Sequence, residues 1–360
     1  MNSRGVLIVG NFLSEHGLAR GVCEELAPRI RGLGWRVLTT SDRYRRALRL
    51  LDMLSTVWSH RNDYDVAQVD VFSGRSFLWA EAVCWLLRRV HRPYILTLHG
   101  GGLPEFAAGH KRRVEKLLNS AAAVTVPSRY LQDRMAGYRS ELLLIPNAVD
   151  LAVYRRRHPH FSLRPRLIWL RAFHDIYAPE IAVKALARLK DEFPSIRLTM
   201  VGADKGDNSR QRTRAAARAY GLEEQLEMRE SVPKALVPDL LKTGDIFLNS
   251  STIDNNPVSV LEAMASGMCV VSTDAGGIPF LLTSGQDALL VPVNDDAAMA
   301  AAVRSLLTDK ALAGRIRNGS LRSVNAYDWS KVLPQWQRLL TSTVRTAGPN
   351  HLRTDVRNES

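Results

Sequence analysis

The chain has 360 residues, enough for two domains of ordinary size, and its 46% hydrophobic and 24% charged residues are the balance of a globular protein, not of a disordered or fibrous one. The longest apolar run, Phe77 to Leu87, carries Glu81 and is too short to cross a bilayer; Asn2, Ser3 and Arg4 lead into a strand, not a signal sequence, so a cytoplasmic protein is expected. A net charge of +13, from 49 basic and 36 acidic residues, asks for an acidic partner such as nucleic acid, anionic lipid or a nucleotide diphosphate.

Gly5 to Gly10 (GVLIVG) reads as a buried strand, followed by a loop holding Gly17 and Gly21, a helix from about Leu18 to Leu33, and a second strand in GWRVLTTS. Gly10, Gly17 and Gly21 stand too far apart for a dinucleotide fingerprint, which disfavours NAD. Arg43 to Trp58 is a basic amphipathic helix with Leu48, Leu51, Leu54 and Val57 as its apolar positions. Two readings stand for it: a surface helix packed on the amino-terminal sheet, or a helix lying on an anionic membrane surface. Arginines cluster at Arg43, Arg45, Arg46 and Arg49, at Arg88, Arg89 and Arg92, at Lys111 to Arg113 and at Arg155 to Arg157. Such runs read as solvated faces and none sits in a nucleic-acid-binding module, so nucleic acid is not expected as a partner. Cys23, Cys84 and Cys269 are isolated, which argues against a disulfide framework or structural zinc and fits a reducing compartment.

Asp65 to Phe72 alternates as a strand, SFLWAEAVCWLLRRV is a helix, and PYILTLHGGGLPE is a strand that delivers His99 and Gly100 to Gly102 at its carboxyl end, where open parallel sheets build sites. AVTVPSRYLQDRM and LLLIPNAVDLAVY follow as strand and helix, then strand and loop. Asp150 to Pro165 reads as a linker. A second series opens with a strand at Arg166 to Leu170, with Arg171 at its end, and a bidentate guanidinium suits a diphosphate. The strands RLTMVG, QLEMRES and DIFLNS then alternate with helices, which is the parallel pattern with right-handed crossovers.

The stretch from Phe247 to Pro279 organises the rest: a strand end, a small polar loop from Ser250 to Asn256, a helix, a buried strand and a glycine loop. Asn256 is a suitable N-cap, Pro257 a suitable first helical residue, and Ser259 with Glu262 has capping-box spacing. A helix entered this way presents free amides and the positive end of its dipole, an anion site. Asp254 and Glu262 flank it and can accept hydrogen bonds from hydroxyls. A ligand with an anionic middle and hydroxylated ends fits, as a nucleotide diphosphate sugar does; loop-helix units of this kind also occur with no ligand, so the physics alone leaves the site open. DALLVPVNDDAAMAAAVRSLLTD then reads as strand, turn and helix, and YDWSKVLPQWQRLLTSTV as a terminal helix.

Asp254, seven residues, Glu262, and then Ala263, Met264, Ala265, Gly267, Val270, Val271, Gly276, Gly277 and Pro279 resemble the signature of the retaining glycosyltransferases of family 4, in which the first acid is Glu. The resemblance implies an α/β GT-B fold, two Rossmann-like parallel-sheet domains facing across a cleft. It places an acceptor domain at 1–155, a nucleotide-sugar donor domain at 156–328, a terminal helix at 329–345 returning to the first domain, and a disordered tail at 346–360. It also implies roles. Glu262 would hold the ribose, Asp254 the donor sugar, and the N–H groups of Asn256, Val258 and Ser259 the diphosphate, with Asn255 and Pro257 in the same donor-binding loop and Arg171 against the phosphates. His99 would touch the sugar near the reacting carbon, completing a catalytic set with Arg171 and Asp254, and Gly17 and Gly21 would line the acceptor and phosphate loop. The chain departs from the family where a lysine is usual five residues after Arg171: here Ile176 stands, followed by Tyr177, and Lys205 or Tyr177 is the candidate substitute. The IPNAVD stretch has Ala148 for the usual Gly.

The implied activity is hexosyl transfer with retention, without metal, cofactor or covalent protein nucleophile, from a nucleoside diphosphate sugar to a glycan or polyprenyl-linked acceptor. Exopolysaccharide or envelope glycan synthesis at the inner face of the plasma membrane is the implied setting. Two other readings stand: a GT-B epimerase or phosphorylase, the latter lacking a recognisable cofactor lysine, and a basic nucleic-acid or lipid binding module with a degenerate sugar site.

Overall fold

A computed structural model describes residues 4–16, 20–154 and 163–346. Gly17, the Arg155–Arg157 cluster, half of the linker and the tail beyond Thr346 lie outside the described residues. The chain divides into two compact units, one running to Ile145 and resuming at Leu333, the other running from Pro146 to Val332.

The first unit is built on β1 (Gly5–Val9), α1 (Val22–Gly32), β2 (Arg36–Thr40), α2 (Arg46–Ser59), β3 (Val66–Val71), α3 (Phe77–Arg89), β4 (Tyr94–Leu98), α4 (Leu103–Gly109), α5 (Lys111–Asn119), β5 (Ala123–Val126), α6 (Arg129–Met135) and β6 (Leu143–Leu144). Its strands pair in parallel in the order β2-β1-β3-β4-β5-β6. β1 and β4 are buried at every residue, as strands covered on both faces must be, and that is why they read as apolar runs, broken only by Thr97 in β4. α1 begins at Val22, later than the expected Leu18. Glu24, three residues after the capping Gly21, folds back to accept its amide at 2.6 Å, and the same carboxylate takes the Ser14 amide and hydroxyl at 3.0 and 2.7 Å.

In α2 the buried positions are Arg49, Met53 and Val57; of the expected apolar series Val57 is buried and Leu54 packs against the core, while Leu48 and Leu51 face outward. Arg49 explains the rotation. It leaves the solvated cluster assigned to it and turns inward, where its guanidinium donates to the carbonyls of Arg43 and Tyr44 and to Asn11 Oδ1 at 2.8 to 2.9 Å and lies over the Trp79 ring.

The second unit holds β7 (Arg166–Leu170), α7 (Pro179–Ala187), β8 (Arg197–Val201), α8 (Ser209–Ala219), β9 (Leu226–Arg229), α9 (Val237–Lys242), β10 (Ile246–Asn249), α10 (Val258–Ala265), β11 (Cys269–Thr273), α11 (Ile278–Leu281), β12 (Leu289–Val291), α12 (Asp296–Thr308) and α13 (Lys310–Ser323). Its parallel order is β12-β11-β10-β7-β8-β9. Apolar clusters cover both faces: one around Trp169, Phe173, Met200 and Val271, the other around Ile168, Phe247, Met264 and Val270. The final helix α14 (Trp329–Thr346) starts in this unit, and from Leu333 its residues belong to the first.

Strand order fixes where a site can form. In the second sheet the chain builds outward from β7 through β8 to β9, then returns to β10 on β7's other side, so the crevice beyond the carboxyl ends of β7 and β10 lies at a switch point. Arg171 follows β7 there, and the polar loop Ser250–Asn256 follows β10. The first sheet has its switch between β1 and β3, whose ends carry Gly10 and Asp70.

Candidate active site

In the second unit, a chain of hydrogen bonds joins the segment after β7 to the loop after β10. Ser250 Oγ accepts from Trp169 Nε1 at 3.0 Å and donates to the Tyr177 carbonyl at 2.8 Å, while the Thr252 amide donates to the Ile176 carbonyl at 2.8 Å. The position where a phosphate lysine is usual thus works through its backbone. Tyr177 also sets its ring under Arg171, with the guanidinium carbon 4.6 Å from the ring centre. Arg171 in turn forms an ion pair with Asp254, both side chains being largely buried. Burial pulls the Arg171 guanidinium below its ordinary pKa, partly offset by Tyr177 and Glu262.

The loop is held from behind by the double glycine. A Cβ on Gly276 would stand 2.3 Å from the Asp254 carbonyl oxygen, and one on Gly277 would stand 2.1 Å from that of Asn255. Only glycine allows this approach, and the Gly277 amide uses it to donate to the Asp254 carbonyl at 2.9 Å. Asn147, in the stretch before the linker, donates to the Asn256 carbonyl at 2.7 Å.

α10 starts one residue later than expected. Pro257 occupies the capping position, and no side chain caps the helix, because Asn256 is drawn off by its bonded carbonyl. Among the described residues, Asn256 Oδ1, Ser259 Oγ and Arg171 Nε are buried without a hydrogen-bond partner, while Arg171 Nη2 and Asp254 Oδ2 meet each other in the ion pair. Buried polar atoms of a folded protein are normally satisfied, so donors and acceptors left over around an uncapped helix start are what a polar ligand would complete.

Glu262, buried on the second turn of α10, accepts from the Tyr154 hydroxyl at 2.6 Å and pairs with Lys234; both contacts fall on Oε1. Lys234 and Tyr154 were not singled out in the sequence. Lys205 lies exposed on the loop after β8, with its amide bonded to the Phe173 carbonyl at 3.1 Å.

In the first unit His99 is buried at the end of β4. Its Nε2 is 2.9 Å from Asp70 Oδ1 and its ring stacks on Phe72 at 4.9 Å. Gln68 Nε2 donates to the same Asp70 oxygen and to Thr97 Oγ1, both at 2.8 Å. A carboxylate only accepts, so Nε2 is the donor in this bond. Gly10 stands beside Asp70 because a Cβ there would meet Asp70 Oδ2 and Cys23 Sγ at 2.7 Å. A small cavity beside them is lined by Gly10, Asn11, Asp70, Phe72, Ser76 and Trp79. The amide of Gly21 is taken up by Glu24.

Solved structures share this architecture. Sucrose-phosphate synthase from Thermosynechococcus elongatus superposes with a TM-score of 0.78 over 96% of this chain and 100% of that one, at 18% identity. Anabaena HepE in complex with UDP-glucose gives 0.72 over 94% and 99%, at 16% identity. The fold is GT-B. In sequence, the family described as Glycosyltransferase Family 4 matches residues 16–153, and that described as Glycosyl transferases group 1 matches residues 153–321. A phosphatidyl-myo-inositol mannosyltransferase of Mycobacterium leprae (strain TN) is 26% identical over 275 residues, 73% of this chain and 71% of that protein. The chain belongs to the retaining glycosyltransferases of family 4, which transfer a sugar from a nucleotide sugar.

Proposed function

We propose that the protein transfers a hexosyl group, with retention and without a metal, from a nucleoside diphosphate sugar to a glycan or lipid-linked acceptor in exopolysaccharide or envelope glycan synthesis at the inner face of the plasma membrane. The observation that carries this is the uncapped start of α10 with Arg171 and Asp254 beside it, at the switch point of the second sheet. The diphosphate takes the amides of α10 and the Arg171 guanidinium, whose Nε has no partner among the described residues and whose Nη2 it takes over from Asp254. Asp254, released from Arg171 by the arriving anion, accepts from the sugar hydroxyls, and Glu262 accepts from the ribose. Asn255 and Asn256 shape the loop between them. Lys234, not Lys205, is the second cation of this region, since it is already paired to Glu262.

As the glycosidic bond breaks, charge gathers on the leaving diphosphate, and groups already aimed at it stabilise the transition state more than the ground state. The helix amides, Arg171 and Lys234 supply that positive charge from the protein itself, which supports activity in the presence of a chelator. The lipid-linked acceptor is supported by the M. leprae relative, whose name places its acceptor on phosphatidylinositol, and the hexose donor by the UDP-glucose bound to HepE.

A panel of UDP-, GDP- and ADP-sugars tests this reading. At least one should raise the unfolding temperature and be slowly hydrolysed, with activity unchanged by EDTA. No shift and no hydrolysis with any of them would leave a binding module with a degenerate site as the better account.

A further inference from the structure

Donor chemistry belongs to the second unit, yet the first sheet also has a cavity at its own switch point, beside the carboxyl ends of β1 and β3. Asp70 stands in its wall with a side chain that is 6% exposed. Its Oδ1 is taken by Gln68 and His99, while Oδ2 lies against Gly10, which lines the same cavity and leaves the room by having no Cβ. A carboxylate offers about four lone-pair sites, and the neighbouring Cys23 thiol, pushed up by burial and by Asp70, is a weak donor. Acceptor capacity is therefore left on the side of Gly10.

Donors stand around the same space. Asn11 Oδ1 accepts from Arg49 Nη1 at 2.9 Å, so the polar group that Asn11 keeps for a ligand is its NH2. That NH2, the Ser76 hydroxyl and the Trp79 indole N–H make no hydrogen bond among the described residues. Phe72 and Trp79 add ring surface to the wall. The buried cation of this region is already spent: Arg49 donates to the carbonyls of Arg43 and Tyr44 and to Asn11, and lies over the Trp79 ring. One carboxylate, three uncommitted donors and aromatic surface are the groups that recognise the hydroxyls and C–H faces of a neutral sugar. A phosphate in the same place would meet Asp70 instead of a cation.

We propose that this cavity receives a neutral sugar of the acceptor, with Asp70 accepting from its hydroxyls and Asn11, Ser76 and Trp79 donating to them, and that Asp70 selects against acceptors phosphorylated there. This rests on the transfer reading and names the class of its acceptor. Two measurements on the full chain test it: ligand-observed NMR with methyl glucoside, galactoside and mannoside, and the rate at which each speeds nucleoside diphosphate release from the nucleotide sugar. The 3- and 6-phosphates of the same glycosides are run beside them. At least one neutral glycoside should bind and speed release, with its phosphates at least about tenfold weaker. Asp70→Asn should raise the glycoside KM at least about tenfold, with a smaller fall in kcat, and narrow the preference over the phosphates. Ser76→Ala removes a hydroxyl that no described residue uses, so it should keep the wild-type unfolding temperature while raising that KM about fivefold, which separates lost recognition from lost folding. Glycoside binding without any nucleotide-sugar turnover supports the site and removes the transfer reading; turnover without glycoside binding or acceleration overturns the site alone. A stronger response to the phosphorylated glycosides, or variants equal to wild type, also overturns it.

Discussion

Replacing Arg171 by Ala perturbs two things that can be read apart. The first is stability: truncation strands Asp254, a largely buried carboxylate whose ion-pair partner is Arg171. Breaking a buried pair from one side costs about 3 kcal/mol, which for a unit of this size lowers the unfolding temperature by roughly 6 to 12 °C. The second is catalysis, where loss of one preorganised donor to a developing oxyanion is worth about 3 kcal/mol, or roughly a hundredfold in turnover. Turnover at saturating donor, nucleoside diphosphate affinity by calorimetry, and thermal unfolding should be measured for Arg171→Ala and for Arg171→Ala with Asp254→Asn. The double variant should recover most of the stability, since no charge is left stranded, while turnover stays at least about a hundredfold down. Nucleoside diphosphate affinity should fall much less than turnover. If the double variant regains turnover along with stability, Arg171 only holds the loop. If Arg171→Ala loses affinity with turnover unchanged, its role is ground-state binding.

Tyr154→Phe removes a 2.6 Å bond to the buried Glu262 carboxylate; stability should fall by about 2 kcal/mol and the donor KM should rise about tenfold with a smaller fall in kcat, measured by steady-state kinetics. Gly277→Ala forces a Cβ to within 2.1 Å of the Asn255 carbonyl oxygen; the loop must shift, costing about 2 kcal/mol in denaturant unfolding and lowering turnover. Asp207 is held down to about 2: partial burial raises it, but this is outweighed by the Ser209 hydrogen bonds, the Asp175 amide and His174. A depressed carboxylate stabilises the fold above its unfolded pKa and loses that contribution as pH falls toward its folded value. Asp207→Asn should therefore remove about 1 kcal/mol at neutral pH and flatten the loss of stability between about pH 4 and pH 2.

The two sheets were legible because their inner strands are covered on both faces and must be mainly apolar, as GVLIV and the CVV of CVVST are. The polar loop and double glycine before and after α10 were legible for the same kind of reason: a local backbone demand restricts the residues. What could not be read is contact between distant positions. Tyr154 meets Glu262 across 108 residues, Lys234 meets it across 28, and Asp70 meets His99 across 29. No periodicity records such pairs. The apolar stripe of α2 is divided in the structure: Val57 is buried and Leu54 packs against the core, while Leu48 and Leu51 are exposed and Arg49 takes the inward place, which the apolar pattern alone did not show. The cap of α10 was misread because Asn256 is suited to that place, but Asn147 engages its carbonyl.

The central claim is a pyrophosphate site at the start of α10, and calorimetric titration of the protein with a nucleoside, its monophosphate and its diphosphate tests it most directly. The account predicts that the diphosphate binds at least about tenfold more tightly than the monophosphate, with the nucleoside weakest. A diphosphate that binds no better than the monophosphate would contradict it.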